Sequence, residues 1–262
     1  MITFGPVLSF RGSRPAGWDI GVLVRDDSQP GTLEYRVSGG AWVAVQATQI
    51  GDGWLPDAYR YDLTLPLRAA AQSVEYRFPS AAALGPWAFT LPSRAQAPRL
   101  AYASCNGFGS PDEEQKVRVK NDRWIHLRET HDKDPYHILM MGGDQVYADE
   151  MFKRVRLLEE WNALDWKSAN SRKFTAPMQV ATRGFYQSLY PRRWGQEEVA
   201  RVMASIPTLM MWDDHDIFDG WGSYPDERRT CDVHKGLFGE AREAFRIYQR
   251  QLSVAEQKGG SS

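Results

Sequence analysis

Two apolar runs, each followed directly by acidic residues, constrain the fold more than any other feature of the chain. The first is YHILMM at 136–141, followed by GGDQVYAD at 142–149. The second is PTLMM at 207–211, followed by Trp212 and then DDHD. Runs of this length are typical of buried strands in a parallel sheet. Because ligands bind at the carboxyl ends of such strands, the pattern predicts an α/β fold with functional groups along one sheet edge.

The segments around these runs alternate between strand and helix patterns. A short apolar segment at 100–103 is followed by a charged stretch at 111–131 with helical spacing of its apolar residues. This alternation predicts a parallel sheet with helices packed on it. Further helices are predicted at 151–164, 178–189, 196–204 and 234–252.

The first hundred residues have a different pattern. Leu33, Tyr35 and Val37 alternate with charged residues, and a Ser-Gly-Gly turn separates them from a second apolar segment, which predicts a β-hairpin. Similar short segments follow at 59–65, 74–78 and 87–91. We therefore predict three regions. They are a β-sandwich accessory domain at 1–91, a linker at 92–98 and an α/β domain at 99–262.

Composition excludes several classes of protein. With 262 residues and a net charge of -1, the chain has no long-range attraction for nucleic acid or anionic membranes. The sequence has neither a membrane-spanning run nor a signal-peptide pattern at its N-terminus, so the chain as given is predicted to be cytoplasmic. Its 2 cysteines are too few for a disulfide scaffold, and each is expected to be a thiol.

The loop after the first apolar run offers two candidate metal ligands. Asp144 follows two glycines, which let the backbone turn sharply and bring the carboxylate close to a ligand. Tyr147 would share a face with Asp144 if the chain begins a helical turn there. A phenolate favours a hard, highly charged ion such as ferric iron. In the alternative interpretation, Asp144 caps a helix and Tyr147 packs in the core.

The acidic group after the second run is the stronger signal. Asp213, Asp214, His215 and Asp216 follow a strongly apolar strand, and their charges would repel each other unless a cation compensates them. The alternative is a solvated surface loop. In the functional interpretation Asp214 binds a metal ion and His215 donates a hydrogen bond or proton to the reacting group. Asp216 would orient the imidazole.

Cys105 occupies the corresponding position after the first predicted parallel strand. A thiolate there would bind a transition metal tightly. Free cysteines are more often small buried apolar residues, and only the position of Cys105 at the strand end argues for a ligand.

Together these segments resemble the alkaline phosphatase D (PhoD-like) family of calcineurin-like metallophosphoesterases. The resemblance covers 99–252 and implies a partial αββα metallophosphoesterase domain behind an accessory β domain. The motifs that carry it are SCN at 104–106, GGDQVYAD at 142–149, DDHD at 213–216, FDGWGSYP at 218–225 and GLF at 236–238, the last followed by a helix containing Ala241 and Arg242.

The resemblance implies a metal-dependent phosphomonoesterase or phosphodiesterase that acts on a small-molecule or lipid phosphate ester. Cys105, Asp144 and Tyr147 would hold ferric iron (Fe3+). Asp144 would bridge toward calcium (Ca2+) or another divalent ion, and Asp214 would take the place of the usual asparagine ligand. His215 would be catalytic, while a metal-activated water attacks the ester. The residues expected around this site are Asn106, Asp149, Asp213 and Asp216.

The chain also departs from the family. The second half of the domain, which supplies further strands and histidine motifs to the metal site, has no counterpart before residue 262. Asp232-Val233-His234 is similar to such a motif, but it precedes the GLF segment, so His234 is interpreted as a helix-start residue. The resemblance therefore leaves an alternative. The chain would be a catalytically incomplete fragment, acting as a binding or interaction module and associating through an uncovered apolar sheet face.

Two further interpretations stay open. The β-sandwich could be a binding module with Trp18, Trp42, Trp54 and Trp87 as contact residues, although aromatic residues in a small sandwich are more often core. The acidic loops do not specify the leaving group, so a metallohydrolase acting on sulfate or on another ester is also compatible with them.

Overall fold

The computed structural model describes residues 1–15, 17–28, 30–108 and 111–259, so the last three residues of the predicted α/β domain lie outside it. The described chain is a mixed α/β fold with a strand-rich N-terminal region, which confirms the predicted fold class. Its strands are β1 (Ile2–Arg14), β2 (Gly17–Asp26), β3 (Leu33–Val37), β4 (Val43–Val45), β5 (Thr48–Gln49), β6 (Ala58–Leu65), β7 (Gln72–Arg77), β8 (Trp87–Leu91), β9 (Leu100–Ala103), β10 (Ile138–Gly142) and β11 (Thr208–Met211).

Helices follow the strands in the second part of the chain. The α-helices are α1 (Pro111–Lys116), α2 (Asp122–Lys133), α3 (Met151–Arg154), α4 (Arg156–Asn162), α5 (Trp166–Asn170), α6 (Ala176–Trp194), α7 (Glu197–Met203), α8 (Asp226–Arg229), α9 (Asp232–Ala244) and α10 (Val254–Gly259). Three 3-10 turns lie at Pro79–Leu84, Ala148–Glu150 and Asp214–Asp216, and a π-helical turn at Phe245–Gln249 continues α9. In the described part of the chain, no helix is both long enough and apolar enough to cross a bilayer.

One sheet of seven strands runs through both regions of the described chain. Its order is β5-β6-β2-β1-β11-β10-β9, and β1 pairs with β11 in parallel, with Ser9 opposite Thr208. The Thr208 hydroxyl donates a hydrogen bond to the carbonyl of Leu8 at 2.7 Å and fastens this junction. The N-terminal strands therefore extend the parallel sheet directly. The division at 92–98 stays a prediction, and it falls in the irregular segment between β8 and β9.

The predicted hairpin and sandwich are both present. In β3 and β4, Leu33 pairs with Val45 and Tyr35 with Val43, within a second sheet of order β4-β3-β7-β8. The two sheets enclose an apolar core. Among its residues are Leu8, Ile20, Val22, Tyr61 and Leu63 from the larger sheet and Leu33, Val74, Tyr76 and Phe89 from the smaller one.

The sequence interpretation assigned no strand to β1 or β2. In β2 the stretch from Ile20 to Val24 is buried at every position, so the alternation that reveals a half-exposed strand is missing. β2 therefore forms a strand because both of its faces pack against other parts of the protein, and its sequence shows no alternation of apolar and polar residues.

One face of β9, β10 and β11 is covered by the helical layer, and on the other face Ile138 is buried in the core between the two sheets. Ala101, Leu139, Met141 and Met210 point into the helical layer and belong to the larger apolar core. The opposite face carries large apolar side chains that stay exposed, up to 71% for Tyr102. We call this set the open face: Leu100, Tyr102, Met140, Leu209 and Met211.

The helices differ from the predicted segments mainly at their breaks. The stretch at 111–131 forms two helices, and 151–164 is interrupted at Val155, whose backbone is extended. Helix α6 is the longest described helix, because Thr175 caps its first turn through a hydrogen bond from the Met178 amide and its buried face reaches Trp194. His234 lies in the first turn of α9, as predicted, and is buried.

Candidate metal centre

The carboxyl ends of β9 and β10 are joined by backbone hydrogen bonds. The Cys105 amide donates to the Gly143 carbonyl at 3.1 Å, and the Asn106 amide donates to the Asp144 carbonyl at 2.7 Å. Cys105 and Asp144 both have left-handed backbone, with φ of 61° and 54°. Such conformations cost roughly 1–2 kcal/mol in residues other than glycine, so the fold holds both side chains in place against local preference.

Gly143 lets the third loop approach. A Cβ atom at this position would lie 2.6 Å from the Cβ of Asp213, which is closer than real Cβ atoms approach. Its φ of 116° also favours glycine. The glycine pair in the sequence therefore serves two purposes: it turns the chain after β10 and makes room for the acidic loop after β11.

Asp144 lies between the candidate ligands from the other two loops. Its Oδ2 is 3.4 Å from the Cys105 thiol, and its Oδ1 accepts a hydrogen bond from the His215 amide at 3.3 Å. Burial raises the pKa of Asp144, and the nearby charges of Asp213 and Asp214 raise it further. A carboxylate in this environment is stabilised in its charged form by a bound cation.

Tyr147 reaches the same site, but not through a helical turn. Residues 143–147 are irregular, and Tyr147 precedes the 3-10 turn at Ala148–Glu150. Its ring occupies the space next to Gly107 and stacks on the His215 ring, with centroids 4.2 Å apart. Burial, followed by the adjacent Cys105 and Asp144, raises the pKa of Tyr147 well above its ordinary value. The helical turn on which the expected proximity depended is absent from residues 143–147, yet Tyr147 still lies close enough to Asp144 for that carboxylate to affect its pKa.

A second group of donor atoms shares Asp144. Ligand atoms of Asp144, Asp214 and His215 all lie within 4.8 Å of one another. Asp213 shapes this loop, since its Oδ1 accepts from the Asp214 amide at 2.9 Å and begins the 3-10 turn. The Oδ2 of Asp214 accepts from the Gly220 amide at 2.6 Å. Asp144 is therefore common to two adjoining sets of candidate ligands.

Asp149, rather than Asp216, orients the imidazole of His215. The Nδ1 atom of His215 is 2.7 Å from Asp149 Oδ2, and Asp149 Oδ1 accepts from the Asp219 amide at 2.6 Å. Burial alone would lower the pKa of His215, but the hydrogen bond to Asp149 and the neighbouring carboxylates raise it above its ordinary value. The imidazole is thus held by a carboxylate that the sequence analysis placed only in the surrounding shell.

The expected role of Asp216 is therefore corrected. Asp216 is adjacent to His215 in a tight turn, so the two side chains diverge and the carboxylate points inward. Its Oδ1 accepts from the amides of Gln145 and Val146 and from Gln249 Nε2, and its Oδ2 accepts from the Asp213 amide. Burial raises the pKa of Asp216 to about 7, and these hydrogen bonds oppose the rise. Asp216 ties the two acidic loops together.

Asn106 performs a similar task for the cysteine loop. It is buried, and its Oδ1 accepts from Trp124 Nε1 at 2.9 Å and from Arg193 Nη2 at 2.6 Å. Its Nδ2 donates to the Gln145 carbonyl at 3.2 Å, to which Trp194 Nε1 also donates. These contacts fix the loop that carries Cys105 relative to the loop that carries Asp144.

Three of these supporting residues were not predicted from the sequence. Arg193, Trp194 and Gln249 lie on helical segments far along the chain from the loops they contact. The paired basic residues before Trp194, at the end of a predicted helix, were the only local feature that could have drawn attention to them.

The assembled residues fit a metal centre. Within the described part of the chain, no lysine or arginine lies within salt-bridge distance of Asp144, Asp213 or Asp214. The donors are a thiol, a phenol, an imidazole and carboxylates. Sulfur and nitrogen donors suit a transition metal, whereas carboxylate oxygens also suit calcium. The site therefore combines uncompensated negative charge with ligands for two kinds of cation.

The fold is shared with a solved structure, that of PhoD. The structure titled PhoD aligns with 92% of this chain and 45% of its own length, with a TM-score of 0.51 and 12% identity. Purple acid phosphatase PPD1 from yellow lupin (Lupinus luteus) seeds aligns with 88% of this chain and 39% of its own length, with a TM-score of 0.45 and 11% identity.

A curated relative and a family model match the sequence. The uncharacterized protein YGR266W of Saccharomyces cerevisiae is 28% identical over 217 residues, which are 77% of this chain and 30% of the yeast protein. This chain thus spans less than half the length of these relatives. The model of the PhoD related phosphatases matches residues 74–256, including all three loops of the candidate metal centre. By this match the chain, which has a metallophosphoesterase fold, belongs to the PhoD related phosphatase family.

Proposed function

We propose that the chain hydrolyses phosphate esters at a two-metal centre built on Asp144. The observation that carries the proposal is the position of this carboxylate between Cys105 on one side and His215 on the other. Family membership supports the phosphoesterase class. Cys105, Asp144 and Tyr147 would hold the first ion, for which we propose ferric iron. Asp144 and Asp214 would hold the second, for which we propose calcium.

The bound ions would neutralise phosphoryl charge and lower the pKa of a water molecule that attacks the ester. The protein's own contribution is to position His215. Because Asp149 occupies Nδ1, only Nε2 is left to act on the substrate. Asp149 Oδ2, 2.7 Å from Nδ1, stabilises the protonated ring, which can donate a hydrogen bond to a phosphoryl oxygen or a proton to the leaving alcohol.

The same geometry leaves a second role for His215. A histidine that binds a metal commonly gives its other ring nitrogen to a carboxylate, and the His215 donor lies in the group with Asp144 and Asp214. Metal content and hydrolysis separate the two roles. In the catalytic role His215→Ala keeps both ions and loses activity, whereas in the ligand role the variant loses an ion.

Hydrolysis of p-nitrophenyl phosphate and bis-p-nitrophenyl phosphate by the iron- and calcium-loaded chain tests the proposal and distinguishes monoesterase from diesterase activity. We expect metal-dependent hydrolysis that falls about 10²–10⁴-fold in His215→Ala, the range for loss of a general acid. The matched control is His126→Ala, because His126 is exposed on α2 and is not part of the centre. Metal-independent hydrolysis, or equal loss in both variants, contradicts the proposal.

An interaction module is the second candidate function, and the open face is the observation that favours it. Five large apolar side chains are exposed on three adjacent strands, more than isolated surface residues would give. A chain that binds metal without hydrolysing either ester, and that associates at micromolar concentration in sedimentation, would support this function instead.

A further inference from the structure

A cavity of about 520 Å³ adjoins the candidate metal centre. Tyr147 and Asp149, which contact His215, form its wall on the side of the centre. Its volume lies within the range of cavities that hold small organic ligands, roughly 300–1,000 Å³. A substrate with its phosphate on the metal ions can therefore extend its leaving group into this space.

The far side of the cavity is basic. Lys153, Arg154, Arg192 and Arg193 all line it. Arg154 and Arg192 share one carboxylate, that of Glu150, at 2.6 and 2.8 Å. The other acidic residues in the wall are also engaged: Asp149 pairs with His215, and Glu114 lies 3.4 Å from Lys120. Among the described side chains of the wall, four cationic groups thus face three carboxylates, two of which pair with residues outside the wall.

Arg193 has no direct ion pair among the described residues, although the charge of Glu114 acts on it from nearby. Among the described residues its guanidinium has no carboxylate within salt-bridge distance, and its hydrogen bonds go to neutral oxygens of Asn106, Asn121 and Gln196. Burial lowers the pKa of Arg193, although arginine remains charged at neutral pH. A half-buried cation held by neutral acceptors is stabilised further by an anion.

Lys153 supplies a second free charge at the rim. It is exposed on α3, and no carboxylate in the described part of the chain pairs with it. The candidate metal centre, with Asp144, Asp213 and Asp214, therefore adjoins the cavity without lining it, and the cavity wall carries Lys153 and Arg193, which have no ion pair among the described residues. This polarity matches a ligand that carries two separate anionic groups.

We propose that the cavity binds a second anionic group on the substrate, so that the preferred substrate is a phosphate ester whose alcohol carries another phosphate or a carboxylate. The inference rests on the proposed function, because it places the reacting phosphate on the metal centre. Arg193 contacts the second anion directly, and Lys153 strengthens its binding from the rim. Neither residue takes part in the hydrolytic step.

Calorimetric titration with 1,3-propanediol bisphosphate and with propyl phosphate tests the inference, because the two probes differ only in the second anion. The chain is titrated with and without iron and calcium. We expect the bisphosphate to bind at least tenfold tighter than the monophosphate to the metal-loaded chain. We expect Lys153→Gln to reduce that ratio several-fold and Arg193→Gln to bring it close to one.

Arg156→Gln is the matched control. It also removes one positive charge, but Arg156 is 87% exposed, pairs with Glu160 and does not line the cavity. Its affinity ratio should equal that of the native chain. Since Arg193 also holds Asn106, folding of its variant is checked by circular dichroism, and the exposed Lys153 gives a test that does not depend on that variant.

The outcomes also separate this inference from the proposed function. Equal binding of the two probes by the native chain overturns the inference, as does a loss in Arg156→Gln as large as that in Lys153→Gln. Failure of the proposed function appears differently: metals would then add nothing to propyl phosphate binding. If the chain binds the bisphosphate more tightly than propyl phosphate to the same extent with and without metals, the result would support the anion site but not the metal centre.

Discussion

The two faces of strands β9, β10 and β11 have similar composition and opposite surroundings. On the covered face, Leu139 and Met210 are buried beneath the helices. On the open face, Met140 and Leu209 follow and precede them in the same strands and remain exposed. Strands that are apolar on both faces are typical of parallel sheets covered on both sides. These strands therefore have the composition of strands covered on both sides, although in the described part of the chain the open face is exposed beyond Ile138.

The candidate metal centre depends on the covered side. Gln249 holds Asp216 and Trp194 holds the Gln145 carbonyl, and both residues come from the helical layer. Asp216 in turn bonds to the Gln145 and Asp213 amides. The loops of the candidate metal centre are thus positioned by the helical layer, although they lie at an edge that both faces share.

The largest expected effect is a difference in stability between variants of two neighbouring residues of β10. Leu139→Ala should destabilise the chain by about 2–5 kcal/mol, because it leaves a cavity beneath the helices. Met140→Ala should change the free energy of unfolding by less than about 0.5 kcal/mol, because Met140 is 37% exposed on the open face. Urea denaturation of both variants measures the difference, and equal losses would mean that the open face is covered in solution.

A smaller loss of stability is expected when the pH is lowered, because a histidine is buried on the covered side. His234 is 1% exposed, and burial, together with Arg228, lowers its pKa to about 4. The unfolded chain binds a proton at about pH 6.5, so this histidine stabilises the fold above that pH and the stability is lost as pH falls toward 4. The loss approaches roughly 3–3.5 kcal/mol at about 1.4 kcal/mol per pKa unit.

Denaturation at pH 7 and pH 4.5 checks this prediction. His234→Leu should lose less stability between the two pH values than the native chain does, since the neutral side chain has no proton to bind. His126→Leu, at an exposed position, should behave like the native chain. Equal pH dependence in all three proteins would show that His234 is solvated rather than enclosed by the rings of Trp161, Phe218 and Tyr224.

The smallest effect is expected from substitutions on the open face, and it concerns self-association. Leu209→Lys with Met211→Lys adds two charges to a surface that is already exposed, so folding should be unaffected. Self-association through this face should weaken at least tenfold, about 1.4 kcal/mol, because the charges would have to be buried. Sedimentation over a concentration series measures it. Unchanged association in the variant would assign the contact to another surface.

The sequence predicted those parts of the fold whose signals are local. Apolar runs followed by acidic loops located β10 and β11, and the Ser-Gly-Gly turn located the β3–β4 hairpin. These two runs and the short apolar segment at 100–103 predicted that Cys105, Asp144 and His215 lie together, because parallel strands end at one edge. Site geometry at this level follows from topology alone.

The remaining features are determined by contacts between distant residues. Pairing of β1 with β11 joins residues about two hundred positions apart, and β2 is buried too completely to show a period. Likewise, Asp149 rather than Asp216 holds His215, because a tight turn directs adjacent side chains apart. Arg193 contacts Asn106 from the end of α6, and no sequence motif predicts this contact.

The proposed metal centre depends on Asp144, which belongs to both groups of candidate ligands. Metal content per chain is the direct test of this centre. Plasma mass spectrometry is performed on chain loaded with iron and calcium and dialysed against metal-free buffer. We predict retained metal in the native chain and in Asp226→Ala, where an exposed aspartate outside the centre is removed. Metal affinity should fall at least roughly 100-fold in Asp144→Ala. No retained metal in the native chain, or equal retention in both variants, would contradict the account.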